Sequence, residues 1–214
     1  MNYTVFDIET GSLPLAELEA IMPEFEAAKN LKDPEKIKAD IEAKRAEWID
    51  RAALSPVSGQ ILAIGYIGAD MTPEVLTTRQ GSEKFLITDF WARFSEVNTR
   101  QFIGFNCKSF DIPFLVRRSW KHGVKVPREV LAKWGSERII DLLDVWKIGN
   151  RDQSISLNNL CKYLGIGEKL GDGKYFAKML AEDPGLAEDY LKQDVLLTQQ
   201  VAMRLGVVST HEVF

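Results

Sequence analysis

A mixed α/β fold, a sheet with helices packed on its faces, follows from the order in which strand-like and helix-like segments alternate along the 214-residue chain. Three apolar, β-branched runs come first, and helix, strand, helix, strand and further helices follow. With 45% hydrophobic residues, including 11 Phe and 5 Trp, the chain can fill a core and lacks the makeup of a disordered protein. The length predicts one domain, 1–214, with an elaboration.

Tyr3–Glu9 is the first strand, rich in β-branched and aromatic residues, and Gly59–Ile67 reads as a buried second one. A short third strand covers Glu74–Thr78. Ser82–Val97 predicts a helix, Gln101–Phe105 an apolar strand, about 110–122 a helix stopped by Gly123, and Arg138–Asp141 the last strand. Ser156 caps a helix bearing Leu157, Leu160 and Leu164 and ending at Gly165. Asp183 caps the final helix, with Pro184 at its first position and Gly206 beyond its end.

Between the first two strands, Ser12–Ser58 holds ten acids and seven bases, and a structureless loop of that length is improbable in a compact domain. Asp33-Pro34 starts a helix on which Ile37, Ile41, Trp48 and Ala52 make one narrow apolar stripe. This segment reads either as a helical arm on the domain edge or as a lid or partner-docking element beside an active site.

No run approaches the roughly 18 apolar residues of a membrane-spanning helix, and the first residues lack a basic region before an apolar one. The expectation is a cytoplasmic protein without membrane association. Cys107 and Cys161 have neither CxxC nor Cys/His metal spacing and read as reduced structural thiols. A net charge of −4 argues against an anionic partner, but Lys108–Arg138 carries eight bases against three acids, a local +5. Such a run is either a solvated helix surface or a nucleic-acid contact.

Several carboxylates stand in unfavourable places. Asp7 and Glu9 lie inside the most strand-like segment, two apart and hence on one face, with Phe6 and Ile8 on the other. Convergent carboxylates repel unless a cation lies between them, and hard oxygen ligands favour Mg²⁺ or Mn²⁺. The alternative is a polar pair at a strand end. Asp111, after an apolar strand, opens a basic helix, either as its N-cap or in a site. Tyr190 and Asp194 are neighbours on the last helix, beside its stripe of Ala187, Leu191, Val195, Thr198, Ala202 and Leu205.

Phe6-Asp7-Ile8-Glu9-Thr10, then Asn106-x-x-x-Phe110-Asp111-x-Pro113-Phe114-Leu115, then Tyr190-x-x-x-Asp194 resemble the three motifs of the DEDD superfamily of 3′-5′ exonucleases, in its tyrosine-containing DEDDy branch. This is a DnaQ-like, ribonuclease H-like superfamily, and the second motif is most similar to the proofreading domain of family B DNA polymerases. The resemblance covers about Asn2–Glu9 and Gly59–Leu205, and leaves out 12–58.

That resemblance implies a ribonuclease H-like fold: a mixed five-stranded sheet flanked by helices, with 12–58 as a helical insertion. It implies hydrolysis of phosphodiesters at the 3′ end of single-stranded or frayed DNA, releasing nucleoside monophosphates. Asp7 would bridge two divalent cations, Mg²⁺ or Mn²⁺; Glu9 and Asp194 would complete the first, Asp111 would hold the second, and Tyr190 would orient the attacking water. The branch that uses histidine does not fit, since His122 and His211 both lie outside the third motif. Tyrosine, with a reference pKa of about 10, suits orientation better than proton abstraction.

With those four acids set aside, 27 acids face 27 bases, which leaves the Lys108–Arg138 stretch available to guide a phosphate backbone. Candidates for substrate contact are Thr10, Leu13 (a wedge against the terminal base, or an anchor of the arm), Asn106 and Phe110, with Lys169 or Lys174 in a Gly-rich loop. Asp141 and Asp144 suit capping better than ligation. An exoribonuclease, or a non-catalytic nucleic-acid-binding module with the insertion serving a protein partner, are the alternatives.

Overall fold

The computed structural model describes residues 3–96, 101–132, 135–150 and 152–208. In chain order the elements are β1 (Tyr3–Ser12), α1 (Leu15–Ile21), α2 (Pro34–Asp50), β2 (Gly59–Gly68), β3 (Pro73–Thr77), α3 (Glu83–Ser95), β4 (Gln101–Gly104), α4 (Asp111–His122), β5 (Ile139–Asp141), α5 (Leu142–Lys147), α6 (Leu157–Leu164), α7 (Phe176–Glu182) and α8 (Pro184–Arg204). Two compact units divide the chain: Met1–Glu9 with Ile61–Phe214, and Thr10–Gln60.

The first unit is built on a five-stranded sheet of order β3-β2-β1-β4-β5. β4 pairs parallel with β1 (Val5 beside Ile103) and with β5 (Ile103 beside Ile140), whereas β2 and β3 are antiparallel, so the sheet is mixed as expected. Side-chain alternation along β1 feeds two apolar layers. Phe6 and Ile8 join Phe90 of α3, Phe102 of β4 and Phe114 of α4 on one face; Tyr3 and Val5 join Leu160 of α6 and Val195 and Val201 of α8 on the other. Phe90 is the hub of the first layer, with ring centroids 5.1 Å from Phe6 and 5.6 Å from Phe102, both edge-on.

Helix ends follow the capping residues. Ser82, Ser156 and Asp183 each accept a backbone N–H from their own first turn, and Gly123 and Gly165 take the left-handed conformation that closes α4 and α6. Val97, the expected end of α3, lies outside the described residues, as do Asn2, Lys133 and His211. The short helices α1 and α7 were not legible in the sequence: each has seven residues and no side-chain cap. Cys107 and Cys161 are free and buried in opposite layers. Among the described residues no helix is long and apolar enough to cross a membrane.

One expectation needs correction. The basic stretch does not form a single face, because Arg118 is buried against Glu83, and Arg138 pairs with Glu129 at 3.2 Å and lies over the Phe94 ring. A buried guanidinium is expelled from a solvent-facing role by the carboxylate it neutralises. Glu83 accepts from Arg118 Nε at 2.8 Å and Nη2 at 2.6 Å and from the Ile61 N–H at 2.8 Å, and His122 Nε2 lies 2.7 Å away. This cluster ties α3 to α4 and to β2.

The second unit, the helical insertion, has Leu13, Leu18 and Ala52 at its core, with Trp48 and Ile49 packed against them. Asp33 caps α2 by accepting the Glu35 N–H at 3.0 Å. No residue of α2 is fully buried, and Ile37 and Ile41 are half-exposed, so the apolar stripe engages mainly at its Trp48 end. A groove of 740 Å³ lies within this unit, lined in part by Phe25, Trp48 and Leu54.

Glu83→Ala removes the carboxylate that takes two hydrogen bonds from the buried Arg118, and a loss of about 3 kcal/mol is expected from urea denaturation at pH 7. Burial alone would raise the Glu83 carboxyl, but Arg118, the Ile61 N–H and His122 hold it below its ordinary value. A carboxyl lowered by folding stabilises above its unfolded pKa of about 4.3 and loses that contribution as pH falls through the folded value. The difference between wild type and Glu83→Ala should therefore shrink below about pH 4.

Candidate active site

The row of side chains that begins with Tyr3 and Val5 continues as Asp7 and Glu9, so β1 carries both carboxylates toward α8. Asp194, fully buried on α8, meets them there: one carboxylate oxygen from each of Asp7, Glu9 and Asp194 lies within 4.8 Å of the others. Asp111 reaches the same strand from α4. It is the first helical residue rather than the cap, which is Phe110, and its Oδ1 accepts the Ile8 N–H at 3.2 Å. Of the four acids singled out in the sequence, three converge and the fourth sits on the backbone between Asp7 and Glu9.

A network of backbone hydrogen bonds places Asp111. Asp141, at the end of β5, accepts the N–H groups of Asn106 at 2.8 Å, Lys108 at 2.9 Å and Leu143 at 2.9 Å. It thus caps α5 and also clamps the β4–α4 turn. Asn106 occupies the left-handed region (φ 58°), which asparagine tolerates better than most residues. Phe110 is half-buried, its ring centroid 5.6 Å from that of Phe114. Asp144 is exposed and lies 3.7 Å from Lys108.

Tyr190 lies one helical turn before Asp194, 2% exposed, with its ring centroid 6.1 Å from that of Phe176. Its hydroxyl and both Asp194 oxygens are buried without a hydrogen bond of good geometry. Lys169 nevertheless supplies charge, its Nζ 2.5 Å from Asp194 Oδ2 and 5.3 Å from the Tyr190 ring centre. Lys174 is exposed and pairs with Asp172 at 3.4 Å. Gly173, read in the sequence only as part of the Gly-rich loop, lies at the site: a Cβ there would stand 3.2 Å from Glu9 Oε2 and 3.4 Å from the Tyr190 hydroxyl, so glycine leaves both room. In the second unit, the Thr10 hydroxyl donates to the Ala53 carbonyl at 2.7 Å, and Leu13 is packed among Leu18 and Ala52.

Burial is the main cause of the unusual acidities. Asp7 is raised well above the ordinary carboxylate range by burial and then by the charges of Asp111 and Asp194; Glu9 is raised by burial and then by Asp7 and Asp194. Asp111 is pushed up to about 7 by burial, against the Ile8 N–H that lowers it. Burial also raises Asp194, and Lys169 partly offsets this. Tyr190 is raised above its usual value by burial and by Glu9 and Asp194.

The donor set fits a divalent cation. All its atoms are hard carboxylate oxygens, Asp194 Oδ1 is buried without a hydrogen bond of good geometry among the described residues, and the mutual repulsion of the acids is what a cation would relieve.

A family model for predicted 3′-5′ exonucleases related to the exonuclease domain of PolB matches residues 60–211, which include Asp111, Tyr190 and Asp194, and the chain belongs to that family. The match begins after Asp7 and Glu9. The fold is similar to that of the family B DNA polymerase from the hyperthermophilic archaeon Pyrobaculum calidifontis, with a TM-score of 0.64 and 16% identity over 96% of this chain. The chain spans 24% of that polymerase. No curated protein matches it.

A carboxyl raised by folding costs stability as pH rises through its unfolded pKa toward its folded one. Asp7→Asn should therefore raise the melting temperature of metal-free protein at pH 7.5, by a few degrees per kcal/mol removed, and abolish any Mn²⁺-induced gain. Lys169→Met should do the reverse, lowering the metal-free melting temperature while enlarging the shift produced by Mn²⁺. Differential scanning fluorimetry with and without chelator measures both.

Proposed function

We propose that this chain is a metal-dependent 3′-5′ exonuclease that hydrolyses phosphodiester bonds at the 3′ end of single-stranded or frayed DNA and releases nucleoside monophosphates. The observation that carries the reading is the convergence of Asp7, Glu9 and Asp194 within 4.8 Å, with the buried Tyr190 one turn from Asp194. Residues 1–214 form the exonuclease domain in this reading, with 12–58 as an insertion.

Asp7 lies within 4.8 Å of Glu9 and Asp194 and also feels the charge of Asp111, and these four acids are the residues that would hold two ions, with Asp7 shared between them. Bound there, two Mg²⁺ or Mn²⁺ ions would generate a nucleophile from water at neutral pH and neutralise the leaving 3′ oxygen. Tyr190 keeps its proton, because burial and the neighbouring carboxylates raise its pKa, and orients the attacking water through its hydroxyl. With a cation held by Asp194, Lys169 would no longer be needed to neutralise that carboxylate, and its ammonium would be available to a substrate phosphate. Asn106 and Phe110 flank the entry to α4 and are assigned to the terminal nucleotide. DNA is favoured over RNA by the likeness to a family B DNA polymerase.

The test is a denaturing-gel time course on 5′-labelled DNA and RNA oligonucleotides with Mg²⁺, Mn²⁺ or chelator. A metal-dependent ladder shortening from the 3′ end is expected on DNA. Asp7→Ala and Asp194→Ala should lose at least about 10³-fold in rate, and Tyr190→Phe about 10²-fold, leaving measurable cleavage. A stronger ladder on RNA would reassign the substrate. No ladder on either strand, with binding intact, would replace the enzyme by a binding module.

A further inference from the structure

Outside the carboxylate cluster, the first unit carries a groove of 440 Å³ along the outer side of α4. Its floor is apolar, formed by Ile112, Val116 and Ile139, all buried. Its rim bears Lys108, Arg117 and Trp120, and among the described residues no carboxylate lines it, the Asp144 carboxylate that lies 3.7 Å from Lys108 standing outside the lining. Ile112, Val116 and Trp120 recur every four residues, so they form one stripe about 12 Å long on the helix.

Two features of this stripe are unusual. Trp120 is 62% exposed, although an indole is among the most costly side chains to leave in water. Arg117, also exposed, has no carboxylate partner among the described residues, its guanidinium reaching only the Pro113 carbonyl at 3.4 Å. A guanidinium with no carboxylate partner among the described residues, beside an exposed aromatic face, is complementary to a single nucleic-acid strand: the base stacks and the phosphate meets the cation.

The groove is also in the right place. β1, β4 and β5 are parallel, so their carboxyl ends share one edge of the sheet, the edge that presents Glu9 and Asp141. Lys108 sits at that edge, its N–H on Asp141, and Ile112 directly follows Asp111. The stripe thus starts at the candidate ligand and leads away from it.

We propose that this groove binds a single DNA strand upstream of its 3′ nucleotide, with Trp120 as the stacking face and Lys108 and Arg117 on the phosphates. The proposal rests on the exonuclease reading only for which end of the strand lies at the carboxylates.

The experiment is fluorescence anisotropy in chelator, where nothing is cleaved, with a labelled thymidine dinucleotide and an oligothymidylate long enough to span α4. Trp120→Ser should weaken the long strand about tenfold more than the dinucleotide, and Trp120→Phe should restore most of the loss. Arg117→Ser should lower the slope of log affinity against log salt by about 0.7, the amount expected for one phosphate contact on a single strand. Equal losses on both lengths, no loss, or an Arg117→Ser effect independent of salt would overturn the proposal, the last pointing to an apolar protein partner. If wild type binds the long strand through Trp120 but cleaves nothing with Mn²⁺, the groove stands and the exonuclease reading falls.

Discussion

Asp7 and Glu9 occupy the row of β1 that Tyr3 and Val5 begin, on a strand with a neighbour on each side, where burial and mutual repulsion both work against their charges. Much of the molecule answers that constraint. α8 brings Asp194 to the same point and adds to the repulsion, Lys169 supplies a positive charge that contacts it there, and Gly173 withholds a side chain so that Glu9 and Tyr190 keep their places. The apolar layers on both faces of β1 supply the stability that such a cluster spends.

The fourth acid is placed by other means. Asp111 depends on a turn held by Asp141, which takes three backbone N–H groups, and on an α4 anchored at its far end by Glu83 and by the bond from Trp91 to Ser119 at 2.7 Å. Both anchors are buried and involve side chains from distant parts of the chain. Asp111 therefore sits on a rigid helix start, and its hydrogen bond to the Ile8 N–H couples it to the strand that carries Asp7 and Glu9. A site made from two rigid elements and one long helix keeps its carboxylates close enough to repel strongly. The same rigidity lets it receive a cation without rebuilding the fold.

Much of this was legible before any coordinates. Ser156 with Gly165, and Asp183 with Pro184, bound α6 and α8 because capping is a local hydrogen-bond requirement that residue type reveals. The placing of Asp7 and Glu9 on one face of β1 follows from period-two alternation. Less legible were α1 and α7, short and without side-chain caps, and the basic stretch, in which Arg118 looked like its neighbours until Glu83 claimed it. The spacing between Glu83 and Arg118 holds no local signal, since the partners are 35 residues apart. The role of Gly173 was missed for the same reason: its lack of a side chain matters only to Glu9 and Tyr190.

By itself the sequence determined the five strands, the capped helices, the face of β1 on which the two acids stand, and the neighbouring of Tyr190 and Asp194, because each depends on contacts within a turn or a strand. Only the tertiary structure decided that Asp194 meets Asp7 and Glu9, that Lys169 rather than Lys174 reaches them, that Asp141 holds a turn, and that Trp120 lies open beside Arg117. Those outcomes depend on which surfaces the packed layers bring together or leave uncovered. No periodicity along the chain encodes the distance between residues brought together by folding.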